Sequence, residues 1–347
     1  MDIVVCGAQV PFVRGGAELH MDNLVTALTT AGHRAELVRL PVAWEKGRLF
    51  DSPLAWRMLP IDADLVIATN FPSYYVRHPR KVVWLFHQHR GAYDAADAGW
   101  SDIGTDPSSL ETQRQLVEWD NRVLDEAAHV FTTSGVVADR LARYNGLSGT
   151  PLHHPPPLYE QLRQAAERGS FGTAEGSYVF CPTRLEANKR PELAVSSLAS
   201  VRPSVRSVVA GRGSLAGPLQ ETARSLGLEQ RVSLPGFVPD DELVDLYANA
   251  LAVIYAPFDE DYGYVTLQAF YAGKPVITAG DSGGTLEWVV DGETGFVTDG
   301  TPAGVGAAIE KLAADPELAR RMGEAGREKV RGLGWQPVVD RLLGAVR

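Results

Sequence analysis

Short apolar runs alternate with amphipathic stretches over most of this chain. Asp2–Cys6, Ala35–Leu40, Asp64–Ala68, Lys81–Phe86 and Val130–Thr133 are brief and β-rich, as strands buried on both faces of a parallel sheet are. Helical periodicity separates them, from about Glu18 to Ala31, closed by Gly32-His33, and again over Val136–Tyr144. A βαβα order predicts a doubly wound α/β domain. The run His153-His154-Pro155-Pro156-Pro157 fits neither a helix interior nor a central strand and marks an interdomain linker. Beyond it the pattern restarts. Strands are expected at Tyr178–Cys181, Val205–Ala210, Val232–Leu234, Ala252–Ala256 and Pro275–Thr278. Helices are expected at Pro191–Ser200, Pro302–Ala314, Pro316–Val330 and Trp335–Val346. The second half thus repeats the architecture of the first.

Two turns in this pattern carry chemistry. In Pro257–Ile277 a strand ends at Pro257, the acids Asp259, Glu260 and Asp261 follow, and Gly263 opens a helical pattern at Tyr264. The leading N–H groups of such a helix lack intrahelical acceptors and favour an anion such as phosphate. The second turn is Gly15-Gly16, between the first strand and the first helix, where glycine allows a ligand to approach the backbone. Glu18 suits a cap on that helix. One phosphate-competent turn in each half points to a ligand cleft.

With 347 residues the chain has the length of two domains, and 45% hydrophobic with 22% charged residues is globular composition. A net charge of −10 argues against a general nucleic-acid binder. Cys6 and Cys181 lie in apolar runs and read as buried thiols, so a cytoplasmic location is expected. Neither an export signal nor a membrane span is expected.

Arg184 and Lys189 follow a strand end and lie five residues apart, a spacing that lets both converge on one diphosphate. His87 and His89, in FHQHRGAYD, end the strand Lys81–Phe86, and a hydrogen-bonding role is favoured over a metal site. Glu260 and Gln268 stand eight residues apart across the acidic turn, and Gln268 meets a hydroxyl without a carboxylate's charge. Serine-hydrolase and phosphate-loop motifs are not expected.

Together these segments resemble the retaining glycosyltransferases of family 4. The resemblance rests on GGAE (Gly15–Glu18), AGHRAELV (Ala31–Val38), RLEANKRPE (Arg184–Glu192), AGRGSL (Ala210–Leu215) and LPGFVPDDELVDLYANA (Leu234–Ala250). Its most specific marks are EDYGYVTLQAFYAGKPVI and GGTLEWVVDGETGFV, the latter at Gly283–Val297. It implies the GT-B fold, two facing Rossmann-like doubly wound domains with an interdomain cleft. Residues 1–155 would bind acceptor, a helix at about 335–347 would pack back on them, and 156–334 would bind the nucleotide sugar.

The resemblance also implies roles. Glu260 would hold the donor sugar's hydroxyls, and Gln268 stands where the family usually has a ribose-binding glutamate. Arg184 and Lys189 would neutralise the leaving diphosphate beside Gly15, Gly16 and the backbone of Gly263, Tyr264, Val265 and Thr266. His87 is the best match to the family's catalytic-loop histidine, with His89 close in register. No cofactor and no Asp-x-Asp metal site are expected. The expected reaction is front-face transfer with retention, from a UDP-, GDP- or dTDP-sugar to an acceptor hydroxyl. Rival readings are a sugar-nucleotide epimerase of the same fold and a non-catalytic relative.

The acceptor side is less marked. His89, Tyr93, Asp97, Trp100 and Asp102 form a polar aromatic segment suited to lining an acceptor site, and its acids would suit a cationic aminocyclitol. Trp44, Phe50, Trp56 and Met58 with Lys46, Arg48 and Arg57 form either a patch for a lipid-linked acceptor at a membrane surface or ordinary packing. Saccharide, lipid-linked and small-molecule acceptors all remain open.

Overall fold

A computed structural model describes residues 1–12, 15–42, 46–94, 103–171 and 176–346. The chain divides into two compact units, Met1–His154 together with the residues from Leu333 onward, and Pro155–Gly332.

In the first unit six parallel strands pair in the order β2-β1-β3-β4-β5-β6. They are β1 (Asp2–Gln9), β2 (Arg34–Pro41), β3 (Leu65–Ala68), β4 (Lys81–Leu85), β5 (His129–Thr132) and β6 (Thr150–Pro151). Alternate residues of the central strands serve opposite layers. Val66, Ala68, Val83 and Leu85 pack with Trp56, Phe71, Leu116 and Val123. Leu65, Ile67, Val82 and Trp84 pack with Met21, Leu24 and Leu28 of the helix Gly16–Thr30. Val338, Val339, Leu342 and Leu343 of the last helix, Trp335–Gly344, complete that second layer. Under this helix His20 Nδ1 lies 2.8 Å from His154 Nε2, with the His20 ring against Trp84 and Phe86.

The second unit has six parallel strands in the order β12-β11-β10-β7-β8-β9. They are β7 (Ser177–Pro182), β8 (Val205–Ala210), β9 (Val232–Gly236), β10 (Ala252–Ile254), β11 (Val276–Ala279) and β12 (Gly295–Thr298). The chain runs outward from β7 through β8 to β9, then crosses to β10 on the other side of β7. The strand order therefore reverses between β7 and β10, and the carboxyl ends at such a reversal are where open α/β sheets take ligands. The edge strand β9 carries Pro235, a residue that an edge tolerates.

Several elements go beyond the apolar pattern. The helix Pro107–Asp125 is set by its cap, Asp106 accepting from the amides of Ser108 (3.0 Å) and Ser109 (3.2 Å) with proline in the first turn. The helices Tyr159–Ala166, Ala216–Ser225 and Asp240–Asn249 and the strand β12 are also present. The expected helix Pro191–Ser200 is split into α-helix Glu192–Ser196 and a 3₁₀ turn at Ser197–Ser200.

Candidate functional site

In the second unit the loops after β7 and β10 meet. The β7 loop is fixed by its neighbour after β8, where Gly211 and Gly213 lie so close that a Cβ would fall 1.8 Å from the Thr183 carbonyl oxygen and 2.3 Å from that of Leu185. Leu185 N–H donates to Arg212 O and Leu215 N–H to Leu185 O, both at 2.9 Å. Glu186 accepts from the Ser214 hydroxyl at 2.7 Å. This frame leaves Arg184 exposed, without a carboxylate in ion-pair reach among the described residues.

Arg190, which the sequence reading did not single out, joins the two loops. Its guanidinium donates to Ala256 O (2.6 Å) and Pro257 O (3.0 Å) and pairs with both oxygens of Asp281. Phe258 N–H donates to Asn188 O at 2.8 Å. Lys189 is thereby brought onto Glu260, and the two form an ion pair at Glu260 Oε2. Tyr255 donates its hydroxyl to the same oxygen at 2.6 Å, while Oε1 has no partner among the described residues. Burial raises the Glu260 carboxyl pKa, but the Lys189 ammonium and the two hydrogen bonds outweigh it, so the pKa falls below the usual glutamate value. Glu260 stays a carboxylate at neutral pH.

The turn beneath Glu260 depends on glycine. Gly283 has φ +57°, and a Cβ there would lie 2.5 Å from Glu260 O and 2.7 Å from Glu260 N. Gly284 N–H donates to Glu260 O at 2.7 Å. Gly263, at φ +83°, opens the helix Tyr264–Tyr271. The buried hydroxyls of Thr266 and Thr285 flank Gly263, and neither has a hydrogen-bond partner among the described residues. One expectation needs correction: the Thr266 N–H donates to Gly263 O at 3.0 Å, so the open amides of this turn do not include it.

Gln268 is also more committed than expected. Its Oε1 accepts from the Tyr247 hydroxyl at 2.9 Å and its Nε2 donates to Pro157 O at 3.2 Å. One N–H and one lone pair remain for a ligand.

In the first unit Gly15 caps the helix Gly16–Thr30, and its N–H donates to Glu18 Oε2 at 2.8 Å. His87 is half-buried at the end of β4. Its Nδ1 donates to Gln88 O at 2.6 Å, which leaves Nε2 as the ring atom for a ligand.

His89 and Tyr93 do not form an open acceptor surface. His89 is buried against Phe71, and burial first, then His87, lowers its pKa to about 4. Tyr93 is a core residue whose hydroxyl donates to buried Asp120 at 2.6 Å. Tyr75 donates to the other Asp120 oxygen at 2.6 Å, and Asn145 links Tyr93 to Gln88. This network anchors the loop that carries His87. Asp97, Trp100 and Asp102 lie outside the described residues. Of the aromatic patch, Trp56 is fully buried and Phe50 packs on Trp119, while Arg57 pairs with Glu126; Trp44 lies outside the described residues.

Two motif expectations are corrected. Gly280–Gly284 does match Gly-x-Ser-x-Gly, but Ser282 is fully buried and its Oγ accepts from Ala279 N–H at 3.3 Å, a turn rather than a nucleophile. Asp-x-Asp spacing occurs at Asp62–Asp64 and Asp259–Asp261, yet no group of three or more His, Cys, Asp or Glu among the described residues is arranged to hold a metal. No described helix is long and apolar enough to cross a membrane.

Residues 164–329 match the family model described as glycosyl transferases group 1. The chain is 30% identical over 266 residues to the GDP-mannose-dependent alpha-(1-6)-phosphatidylinositol monomannoside mannosyltransferase of Mycolicibacterium smegmatis, over 72% of this chain and 65% of that protein. It is 35% identical over 269 residues to the protein of the same name from Mycobacterium tuberculosis, over 72% of this chain and 67% of that one. The chain thus spans about two thirds of the length of these relatives. The crystal structure of Anabaena HepE in complex with UDP and glucose superposes with a TM-score of 0.71 at 20% identity, over 99% of this chain and 98% of that one. That likeness gives the fold, GT-B.

Proposed function

The chain belongs to the group 1 glycosyl transferases, and from that premise we propose that it moves a sugar from a nucleotide-sugar donor to an acceptor hydroxyl. The observation that carries the proposal is the ion pair of Lys189 with Glu260, where the strand order reverses between β7 and β10, beside the helix start at Gly263. A cation, a carboxylate with one open oxygen and the leading amides of a helix supply one group each for a diphosphate, a sugar hydroxyl and a phosphate oxygen.

In this reading Lys189 and exposed Arg184 take up the charge that develops on the departing diphosphate, with the amides of Tyr264 and Val265 and the buried Thr266 and Thr285 hydroxyls beside them. Preorganised donors of this kind contribute several kcal/mol to such a step. Glu260 Oε1 accepts from the donor sugar, and His87 Nε2 accepts from a sugar hydroxyl. Retention by front-face attack and independence of a metal are part of the proposal. In that step the acceptor oxygen bonds to the anomeric carbon on the face the phosphate leaves, and its proton passes to the leaving phosphate oxygen. Gly15 and Gly16 belong to the donor side by resemblance.

The relatives' name points to GDP-mannose and a phosphatidylinositol monomannoside acceptor, and a HepE structure holds UDP-glucose. UDP-, GDP- and dTDP-sugars are therefore the donors to test, with lipid-linked and soluble hydroxyl acceptors. A thermal-shift screen of the purified protein against UDP-, GDP-, ADP- and dTDP-sugars tests the reading, since a ligand that binds the native state raises its apparent stability. A shift with one nucleotide, followed by nucleotide release that depends on acceptor, supports transfer. A sugar epimerised on the intact nucleotide with no acceptor present would support the epimerase instead, and silence with every donor would overturn the proposal.

A further inference from the structure

The two oxygens of the Glu260 carboxylate are unlike. Oε2 receives both the Lys189 ammonium and the Tyr255 hydroxyl, and Oε1 has no partner among the described residues. A lysine that neutralises a diphosphate has to give up part of its hold on a carboxylate. At that moment Tyr255 is the remaining restraint on Oε2. Resting on the reading of Glu260 as the acceptor for a donor-sugar hydroxyl, we infer that Tyr255 is a positioning residue. It keeps Oε2 tethered and Oε1 aimed at the sugar while Lys189 turns to the diphosphate.

The surroundings of Tyr255 suit this role. It is 5% exposed and directly follows β10, and its backbone N–H donates to Ile277 O at 2.9 Å, so the ring is held by the sheet itself. Its hydroxyl closes the loop onto Glu260 five residues later. Burial, followed by the neighbouring Glu260 charge, pushes the phenol well above its ordinary range, so the hydroxyl remains a donor at every working pH. A neutral donor has a further advantage over a second cation. It orients the carboxylate without cancelling its charge and does not compete for the diphosphate. A phenylalanine would fill the same space and supply none of this.

The test is calorimetric binding to the full chain of UDP against UDP-glucose and of GDP against GDP-mannose. The quantity read is the affinity ratio of each sugar nucleotide to its diphosphate. Tyr255→Phe is expected to lower that ratio about tenfold, the size of one lost hydrogen bond to a charged group, and to leave diphosphate affinity unchanged. In a Glu260→Gln background the same substitution should add no further loss, because the effect runs through the carboxylate. An unchanged ratio in Tyr255→Phe, an equal loss for diphosphate and sugar nucleotide, or a full additional loss in the Glu260→Gln background would each overturn the inference. Failure of the wild type to bind any of the four ligands is a different result, which removes the underlying reading and the inference with it.

Discussion

The side-chain amide of Gln268 donates to the backbone carbonyl of Pro157 at 3.2 Å. Gln268 therefore fastens the helix Tyr264–Tyr271 to the start of the second unit, where the chain leaves its proline run. A carboxylate at this position would keep the Tyr247 bond and turn an acceptor toward another acceptor. Gln268→Glu is expected to lower unfolding stability at pH 7.5 by about 1–3 kcal/mol, the cost of a half-buried unpaired acceptor. Equal urea midpoints for the two proteins would remove the fastening role.

Lys189→Ala leaves Glu260 with Tyr255 alone on Oε2. Turnover is expected to fall at least about a hundredfold, as when a preorganised donor is lost from the charge-developing side. Without the ammonium, burial dominates the Glu260 carboxyl and its pKa rises, so the acid limb of any residual activity moves to higher pH. Steady-state kinetics across pH 5–9 checks both effects, and turnover above about a tenth of wild type would sink the assigned role.

Gly283→Ala puts a methyl group 2.5 Å from Glu260 O in a backbone region that L residues disfavour. The loop bearing Glu260 has to move, and a displacement of roughly 1 Å at a reacting centre costs about a hundredfold in rate. The loss should appear in turnover while the circular dichroism spectrum stays that of the wild type. Wild-type turnover in this variant would show that the loop has slack.

Burial raises the Asp120 carboxyl from 3.8 to about 6, against the Tyr75 and Tyr93 hydrogen bonds that lower it. The folded protein then holds this proton up to higher pH than the unfolded chain. Stability from this group is complete below about pH 4 and is lost as pH rises through 6, by roughly 2–3 kcal/mol. Asp120→Asn removes the titration and can still bond both tyrosines. The difference in melting temperature between variant and wild type should grow in favour of the variant from pH 4.5 to 7.5, and a constant difference would refute the assignment.

What the sequence made legible follows what short-range pattern encodes. Apolar runs revealed β1 to β5 and β7 to β11, the proline run stands at the division of the units, and the acidic turn before Gly263 revealed Glu260 and the helix start at Tyr264. Glu18 had the spacing of a cap and is one. Pro107–Asp125 was also readable, since Asp106-Pro107-Ser108-Ser109 is an N-terminal signature, but it follows a polar segment that drew attention as a binding surface. The supports of the site were not readable. Tyr255, Tyr247 and Arg190 matter through where their far ends reach, to Glu260, Gln268 and Asp281, and nothing in local spacing reports that. Tyr93 looked like an exposed aromatic because its partner, Asp120, lies on a helix the pattern did not place. The polar face of a loop and a buried hydroxyl network have the same composition.

The last helix, Trp335–Gly344, covers Ile3, Val5, Leu24 and Leu28, residues from the opening of the chain. On the ribosome those residues emerge ahead of their cover, which is made only after all of Pro155–Gly332. At ordinary elongation speeds that is a delay on the order of ten seconds or more. Throughout it, the nascent first unit shows an uncovered greasy strip that includes the rings around His20, ready for a chaperone or for another nascent chain. Completion of the first unit is therefore timed by the synthesis of the second.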